Sequence, residues 1–539
     1  MATNAMKKDY DVPAKSDSSP SISDLDASVD GNVEDRFAGI DRKRLLRKVD
    51  LRILPYLCLC YMVVRLDLNN INNAGTMNNE VGHSLKKVLH LGAQKWAWVV
   101  AAFYYPYMGV EPVATLFVRK VGARAWLSRI MVLWSIVMAC MAAVNSYGSL
   151  IACRVLLGLL EGSFFTAMIL HLSFWYTPNE MGSRVIYLYV ANSSSGGFSG
   201  LFAYAISFTD GKLYGWQWLF IAKRDVAQLG QALLRLSQTP LTLTPIALSI
   251  EGLLTFFLGI GLYFLLPNWP STSKWLTPLE AEYVDHHIHW NAPKKDGKTW
   301  EWEEIRRMFA DPTMWLFSAF WAFWSVSVWG ASTMQTFLLL DLNLTGSATT
   351  QLLQIPPAAT GVVMLLISAY LIRGRNISPF LCVLLLVILT VVQIPGVMIS
   401  FIVLFTVASS GLRLACLCVI TGAAPTAYAC LWPMRTAALR GTSSAALGIG
   451  INNAISQFSG IIGPQLWRTD FGPRYDLSAK VSTGLAAGAF CVTAALWYMM
   501  AADLSWSPFL SRRVLSQTQI REEDLEAKKQ GATIATDLV

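Results

Sequence analysis

LRILPYLCLCYMVVRLDLNNINNAG, residues 51–75, opens directly after a basic cluster of Arg42, Lys43, Arg44, Arg47 and Lys48. A bilayer core of roughly 30 Å is crossed by about 20 apolar residues, so the run is long enough to span a membrane. It nevertheless carries Arg65 and Asp67. An ionisable side chain in hydrocarbon costs a few kcal/mol or more, so such groups face a cavity or a partner. Two helical residues two positions apart point to nearly opposite sides, and Arg65 and Asp67 therefore do not neutralise each other. Asp67 shares a face with Asn70, which gives a polar stripe leading outward and an expected place for Asp67 in a cavity. Arg65 needs a carboxylate, a substrate anion or water, or it snorkels toward the interface.

The rest of the chain repeats the pattern. It has 539 residues, 54% of them hydrophobic and 14% charged, with a mean hydropathy of +0.43. Soluble domains are nearer one quarter charged, so much of this sequence must face lipid. Apolar runs occur near 51–71, 95–118, 125–145, 148–176, 183–208 and 246–266, then near 313–340, 347–372, 379–406, 411–433, 442–466 and 482–504. A charged linker, residues 267–312, separates two sets of six. The expected fold is an all-α membrane protein with twelve transmembrane helices in two six-helix bundles, residues 49–266 and 313–506. Residues 1–48 and 507–539 form polar tails.

Lysines and arginines gather on the side that holds the N-terminal cluster, Arg119, Lys120, Arg124, Arg184, Arg373, Arg375, Arg435, Arg440, Arg512 and Arg513. The positive-inside rule then places both termini in the cytosol, most simply at the plasma membrane. The net charge of +8 is spread over tails and loops, which suits a lipid bilayer as partner and not nucleic acid. Nothing in the pattern calls for oligomers, and a monomer is expected. All nine cysteines lie in apolar stretches without metal-ligand spacing and read as small packing residues. No metal and no cofactor are implied. His286, His287 and His289 fall in the linker, and a solvated loop is the favoured reading there.

Two helical sets around a midplane site are a transporter plan. No filter-like repeat points to a channel, and no nucleophile–base pair in the spans points to an enzyme. The charges inside the spans carry the function. RVLLGLLEGSFF places Arg154, Gly158 and Glu161 on one helical face. A buried carboxylate beside an arginine suits proton coupling, because protonation switches the local charge; a structural charge cluster is the alternative. Glu111 precedes Pro112, which removes a backbone hydrogen bond and invites a bend; gate, packing and substrate contact all stay open for it. Asn453 and Gln457, four residues apart, share one polar face. VANSSSGGFSGLFAYA, residues 190–205, offers a small-residue face for close helix packing.

These stretches together resemble the major facilitator superfamily, and more narrowly its anion:cation symporter group, the allantoate-permease-like transporters of fungi. The first span resembles the group's signature there, RVLLGLLEGSFF with LSFWY its fourth span, and SQFSGIIGPQLWRTDFGPRY the end of its eleventh. The resemblance implies uptake of small carboxylates such as ureides or vitamins, coupled to protons by alternating access. It gives Asp67, Arg154 and Glu161 functional places. The chain departs from the pattern at Leu68, where the group usually has arginine, and at Arg65, where an apolar residue is usual. The expected substrate-binding or proton-coupling set is Arg65, Asp67, Asn70, Glu111, Arg154, Glu161, Asn453 and Gln457. An exporter of a secondary metabolite or a non-transporting nutrient sensor on the same fold are the alternative readings. Residues 222–249 interrupt the sixth run with Lys223, Arg224, Asp225 and Arg235. Joining Ile221 to Ile250 restores a continuous span, so the segment reads as an unspliced intron or as an amphipathic extension.

Overall fold

The computed structural model describes residues 37–501 apart from 38, 177, 209–213, 221–249, 288–301, 343, 375–392, 408, 440–441 and 473. The two tails, the inserted segment 222–249, His289, Cys382, Arg440 and Asn343 therefore lie largely or wholly outside the described residues. The described chain is all-helical, as expected from its apolar runs.

Helix α1 (Arg42–Thr76) is 35 residues long. At 1.5 Å per residue that is about 50 Å, longer than a bilayer core, so its basic first turns extend beyond the hydrocarbon. Its start is fixed by Asp41, whose side chain accepts the Lys43 and Arg44 N–H groups at 2.9 and 3.3 Å. Ion pairs then tie these turns to neighbours. Arg42 meets Glu180 and Arg184 meets Asp50, both at 2.7 Å, and Lys48 meets Glu280 at 2.7 Å.

The chain continues through α2 (Ala93–Ala102), α3 (Tyr104–Val121), α4 (Ala123–Met141), α5 (Tyr147–Glu161), α6 (Phe164–Leu172), α7 (Pro178–Ser207), α8 (Gly215–Phe220) and α9 (Ile250–Leu265). The linker contributes α10 (Pro278–His287) and α11 (Trp302–Ala310). Next come α12 (Pro312–Trp324), a π-helical turn at Ser325–Trp329, a short helix Gly330–Thr333, and α13 (Gln335–Asp341). The last helices are α14 (Ile355–Gly374), α15 (Gln393–Thr406), α16 (Ser410–Ala438), α17 (Thr442–Ser456), α18 (Phe458–Leu466) and α19 (Asp476–Ala501).

Helix α1 packs on α7, α4 on α9 and α5 on α4, while α12 packs on α19 and α15 on both α16 and α19. The two sets meet along α7 with α14 and α16, and along α2 and α3 with α17 and α18. Glycines set these distances. Gly158 of α5 lies against the backbone of Phe103, Gly460 of α18 against the ring of Tyr104, and Gly450 of α17 against the backbone at Pro112. The small-residue stretch of α7 does what its composition suggests: Gly197 and Gly200 admit Ala358 and the Gln351 carbonyl.

Among the described residues five segments are apolar and long enough to cross a bilayer unaided: Ala123–Met141, Tyr147–Leu172, Ser347–Leu371, Ser410–Trp432 and Asp476–Met500. Other expected runs are broken in the structure, at the π turn after α12 and at Gln457 between α17 and α18. One sequence assignment needs correction. Arg435, counted with the loop arginines, is 1% exposed. Helix α16 runs on to Ala438 and holds this side chain inside, where Nε donates to Asn452 Oδ1 at 2.5 Å and the guanidinium covers Phe317.

Any Cβ at Gly158 collides with the Phe103 carbonyl, whereas Gly148 has open space around it. Gly158→Val is expected to abolish a monodisperse peak in detergent size-exclusion chromatography, and Gly148→Ala to leave it unchanged.

Candidate functional site

Where the two helical sets face each other they enclose a cavity of about 120 Å³. On α1 its lining is Arg65, Leu68, Asn69 and Asn72, spaced to form one helical stripe. Across from them stand Ser193 of α7 and Trp329. A smaller cavity of about 30 Å³ lies next to it, lined by Tyr107, Tyr189, Tyr428, Asn453, Ser456 and Gln457, among others. Arg65 and Trp329 line both. They form the shared wall.

Arg65 is held on both sides. Its Nη2 and Nε donate to the Tyr61 hydroxyl at 2.9 and 3.3 Å, one helical turn earlier. The guanidinium also lies 5.2 Å from the Tyr61 ring centre and 5.1 Å from that of Trp329. A cation over an aromatic face gains about 2 kcal/mol when desolvated. The π turn explains how Trp329 reaches it. An i→i+5 turn inserts one extra residue and rotates the helix beyond it, so the indole swings into the wall. No carboxylate pairs with Arg65 among the described residues. It does not snorkel; the cavity keeps it central.

Asp67 is placed differently from the sequence expectation. It is 6% exposed, lies outside both cavity linings, and accepts a hydrogen bond from Trp134 Nε1 of α4 at 3.1 Å. Asn70, 1% exposed, also lies outside both linings. The cause is the helical angle that separates positions 65 and 67: with Arg65 on the cavity, Asp67 must look back into its own helical set. Of the two polar stripes on α1, the one through Asp67 is not the cavity face; Asn69 and Asn72, in register with Arg65, are the signal for the other.

Arg154 and Glu161 do share a face of α5 and are both buried, at 2% and 4% exposure, but they form no ion pair. Arg154 Nε donates to the Val99 carbonyl at 3.2 Å, and its guanidinium lies 4.7 Å from the Phe103 ring centre. No hydrogen bond reaches Glu161 among the described residues; the charges of Arg65 and Arg154 both act on it. Glu111 is fully buried, and its Oε1 accepts from Asn453 Nδ2 across the junction of the two sets. Asn453 and Gln457 line the smaller cavity together, as their four-residue spacing suggests.

Contacts between the two sets close around the cavities at both ends. Toward the Thr76 end of α1, Gln354 Nε2 donates to Asn73 Oδ1 at 2.9 Å, Gln351 Nε2 to Thr76 Oγ1 at 3.0 Å, and Asn72 Nδ2 to the Thr333 carbonyl at 2.6 Å. Glu80 Oε1 accepts the Ser347 N–H at 2.7 Å. Beyond them the Tyr475 hydroxyl donates to Asp341, whose carboxyl burial raises above the ordinary carboxylate range. Toward the opposite end, Trp432 Nε1 donates to the Tyr189 hydroxyl at 3.1 Å, and its ring packs on Phe165 and Trp321. Apart from Glu80 and Asp341, these contact residues are amides, hydroxyls and aromatics, which are equally at home in helix packing and carry no mark in the sequence.

Residues 57–222 match the family model described as Major Facilitator Superfamily. A bacterial homologue of the human lysosomal transporter Spinster, solved inward-facing and unoccupied, superposes with a TM-score of 0.51 over 86% of this chain and 96% of that one, at 16% identity.

The fold is that of the major facilitator superfamily.

The chain is 30% identical over 312 residues to the MFS-type transporter cnsO of Penicillium expansum, covering 56% of this chain and 53% of that protein. It is 32% identical over 244 residues to a putative tartrate transporter of Agrobacterium vitis, covering 45% of this chain and 48% of that protein. The matches thus span about half the length of these two curated relatives, which are named as transporters and not as enzymes. The family-model match over residues 57–222 and the five long apolar helices among the described residues support an integral, multi-pass membrane protein.

The Asn73–Gln354 contact crosses the two halves of the major facilitator fold and must part whenever that end opens. With the exposed Cys140 and Cys491 replaced by serine, an Asn73→Cys/Gln354→Cys pair is expected to be linked by a short bifunctional thiol reagent. The linked protein should not be labelled by a membrane-impermeant maleimide at Asn69→Cys, whereas the unlinked one should be.

Proposed function

We propose that this protein is a secondary active transporter that takes up a small organic anion together with protons. The observation that carries this reading is Arg65, a fixed positive charge that lines both central cavities and has no carboxylate partner among the described residues. A buried charge is tolerated only when something answers it, and in this fold the central cavity is where substrate sits. A carboxylate accepts bidentate hydrogen bonds from a guanidinium in matching planar geometry. Asn69, Asn72 and Ser193 supply further polar contacts for the rest of a small hydroxylated or ureido acid. The tartrate named for the Agrobacterium relative is such an anion, and the sequence resemblance to allantoate-permease-like symporters points to the same class.

The proton belongs to the buried carboxyls. Glu111 and Glu161 are buried outside both cavity linings, in surroundings where an uncompensated charge costs several kcal/mol, so each has reason to exchange its charge for a proton during the cycle. Asp67 serves by holding Trp134 and not by touching substrate. Both termini lie on the cytosolic side in this reading, at the plasma membrane, and the Thr76 end of α1 is the outer gate.

Uptake of labelled tartrate, allantoate and a carboxylate vitamin into cells expressing the protein checks the proposal. At least one should accumulate faster at external pH 5 than at pH 8. With one proton per anion, accumulation should change by about tenfold per unit of imposed pH difference. Uptake indifferent to pH would count against proton coupling. Arg65→Ala should lower uptake by about 10- to 100-fold, as the loss of about 1.5–3 kcal/mol in charged hydrogen bonds requires, with Arg65→Lys in between. Unchanged transport in Arg65→Ala would remove Arg65 from the site.

A further inference from the structure

We propose that Glu111 and Asn453 form a proton-operated latch between the two halves, and that Arg65 couples this latch to the anion. The inference rests on the transport reading for its purpose but not for its test.

Glu111 sits on a seam where the two halves come into backbone contact. It belongs to α3, Asn453 belongs to α17, and the Gly450 backbone runs against Pro112 one residue from the carboxyl-bearing position. Glu111 Oε1 is bonded to Asn453, while Oε2 is buried with no hydrogen-bond partner. A buried carboxylate oxygen left unanswered is destabilising. Binding a proton there removes the charge, leaves a neutral acid, and weakens the charge-assisted bond to Asn453 to an ordinary one. Movement of α3 past α17 is then easier.

The charges around Glu111 identify what controls the proton. Tyr104, Tyr105 and Tyr107 lie on its own helix, Tyr61 and Arg65 lie on α1, and Arg65 and Tyr107 line the smaller cavity together with Asn453, the partner of Glu111. Helix α5 brings Arg154 near its middle and Glu161 at its end. Helices α17 and α18 contain no ionisable residue, α2 has only Lys95, α4 has Arg124 and Arg129 near its start, and α6 has His171 near its far end. Of these, Arg65 is the cation that acts on Glu111, whereas Glu161 feels both Arg65 and Arg154. One guanidinium cannot fully compensate two anions. When a carboxylate substrate docks on Arg65, the support that Arg65 gives Glu111 is spent, and Glu111 takes up a proton. Anion and proton therefore load together, and release of one favours release of the other. Asn453 also lines the smaller cavity, so the latch stands against the same space that holds Arg65.

The test needs no substrate. Spin labels placed by Val121→Cys on α3 and Thr442→Cys on α17, in nanodiscs, report the distance between the two halves from pH 5 to pH 8. The wild-type background should show a pH-dependent shift between two distance populations. Glu111→Gln should fix one distribution across the range, and Asn453→Ala should move the midpoint by at least half a pH unit. Glu161→Gln should retain a pH-dependent shift between the two populations with its midpoint displaced, because the second anion that draws on Arg65 is gone. A response unchanged in Glu111→Gln, or lost equally in Glu161→Gln, overturns the assignment, as does a wild-type distance that ignores pH. If Glu111→Gln fails to fold, the Asn453→Ala midpoint decides alone: no displacement rejects the latch. Absence of carboxylate uptake would overturn the transport reading and leave this result standing by itself.

Discussion

A positive charge held in the interior with no carboxylate paired to it among the described residues is the constraint around which this molecule is organised. In water the guanidinium of Arg65 costs nothing; inside a membrane protein every ångström of its surroundings must help to keep it. The helix provides Tyr61 one turn below, and the second half of the chain provides Trp329 from a distorted turn. Neither group neutralises the charge. Aromatic faces and a hydroxyl reduce the cost of burial while leaving the field open toward the cavities, as the proposed anion site requires. A permanent carboxylate partner would have made the same arginine a structural rivet.

Several features of the fold result from keeping that space open yet controlled. Glycines bring helix backbones into contact around it, so the helices behave as stiff bodies that meet along narrow seams. The seams themselves are of two kinds. At the Thr76 end they are amide and hydroxyl contacts, each worth about 1 kcal/mol net, which is weak enough to break and re-form in turn. At the Trp432 end they are mostly aromatic, with large apolar area and one indole–phenol hydrogen bond. The two ends are thus held by different kinds of contact, polar at one and aromatic at the other. The Glu111–Asn453 contact adds a third kind, sensitive to charge.

Much of the architecture is legible in the sequence because lipid imposes a simple rule: long apolar helices, few charges, basic flanks. That rule identifies an all-helical membrane fold and marks Arg65, Asp67, Glu111, Arg154 and Glu161 as residues that need an explanation. It does not say which way each one points. For Arg65 and Asp67 the angular separation rules out pairing, but which of the two owns the cavity depends on the rotation of α1, and that is set by the packing of α7 and α9 against it. Trp134, the partner of Asp67, carries no pattern that marks it. Arg435 reads as a loop residue because it comes after an apolar run, yet Asn452 and Phe317, far along the chain or on another helix, draw it inside. Gln351 and Gln354 give no signal either, since glutamines at a helix start are commonplace; their role exists only once α1 lies opposite.

The five residues Ser325–Trp329 have one more implication, for how this site changes over evolutionary time. A π turn is an α-helix with one residue too many. Losing a single residue there would restore regular winding and rotate everything between α12 and α13 by about 100°. Trp329 would leave the guanidinium, and Gly330 would no longer face Gly463. Most sites drift by substitution, one side chain at a time. Here a lone codon deletion would redraw the cavity wall in a single step, and the reverse insertion would have created it just as abruptly.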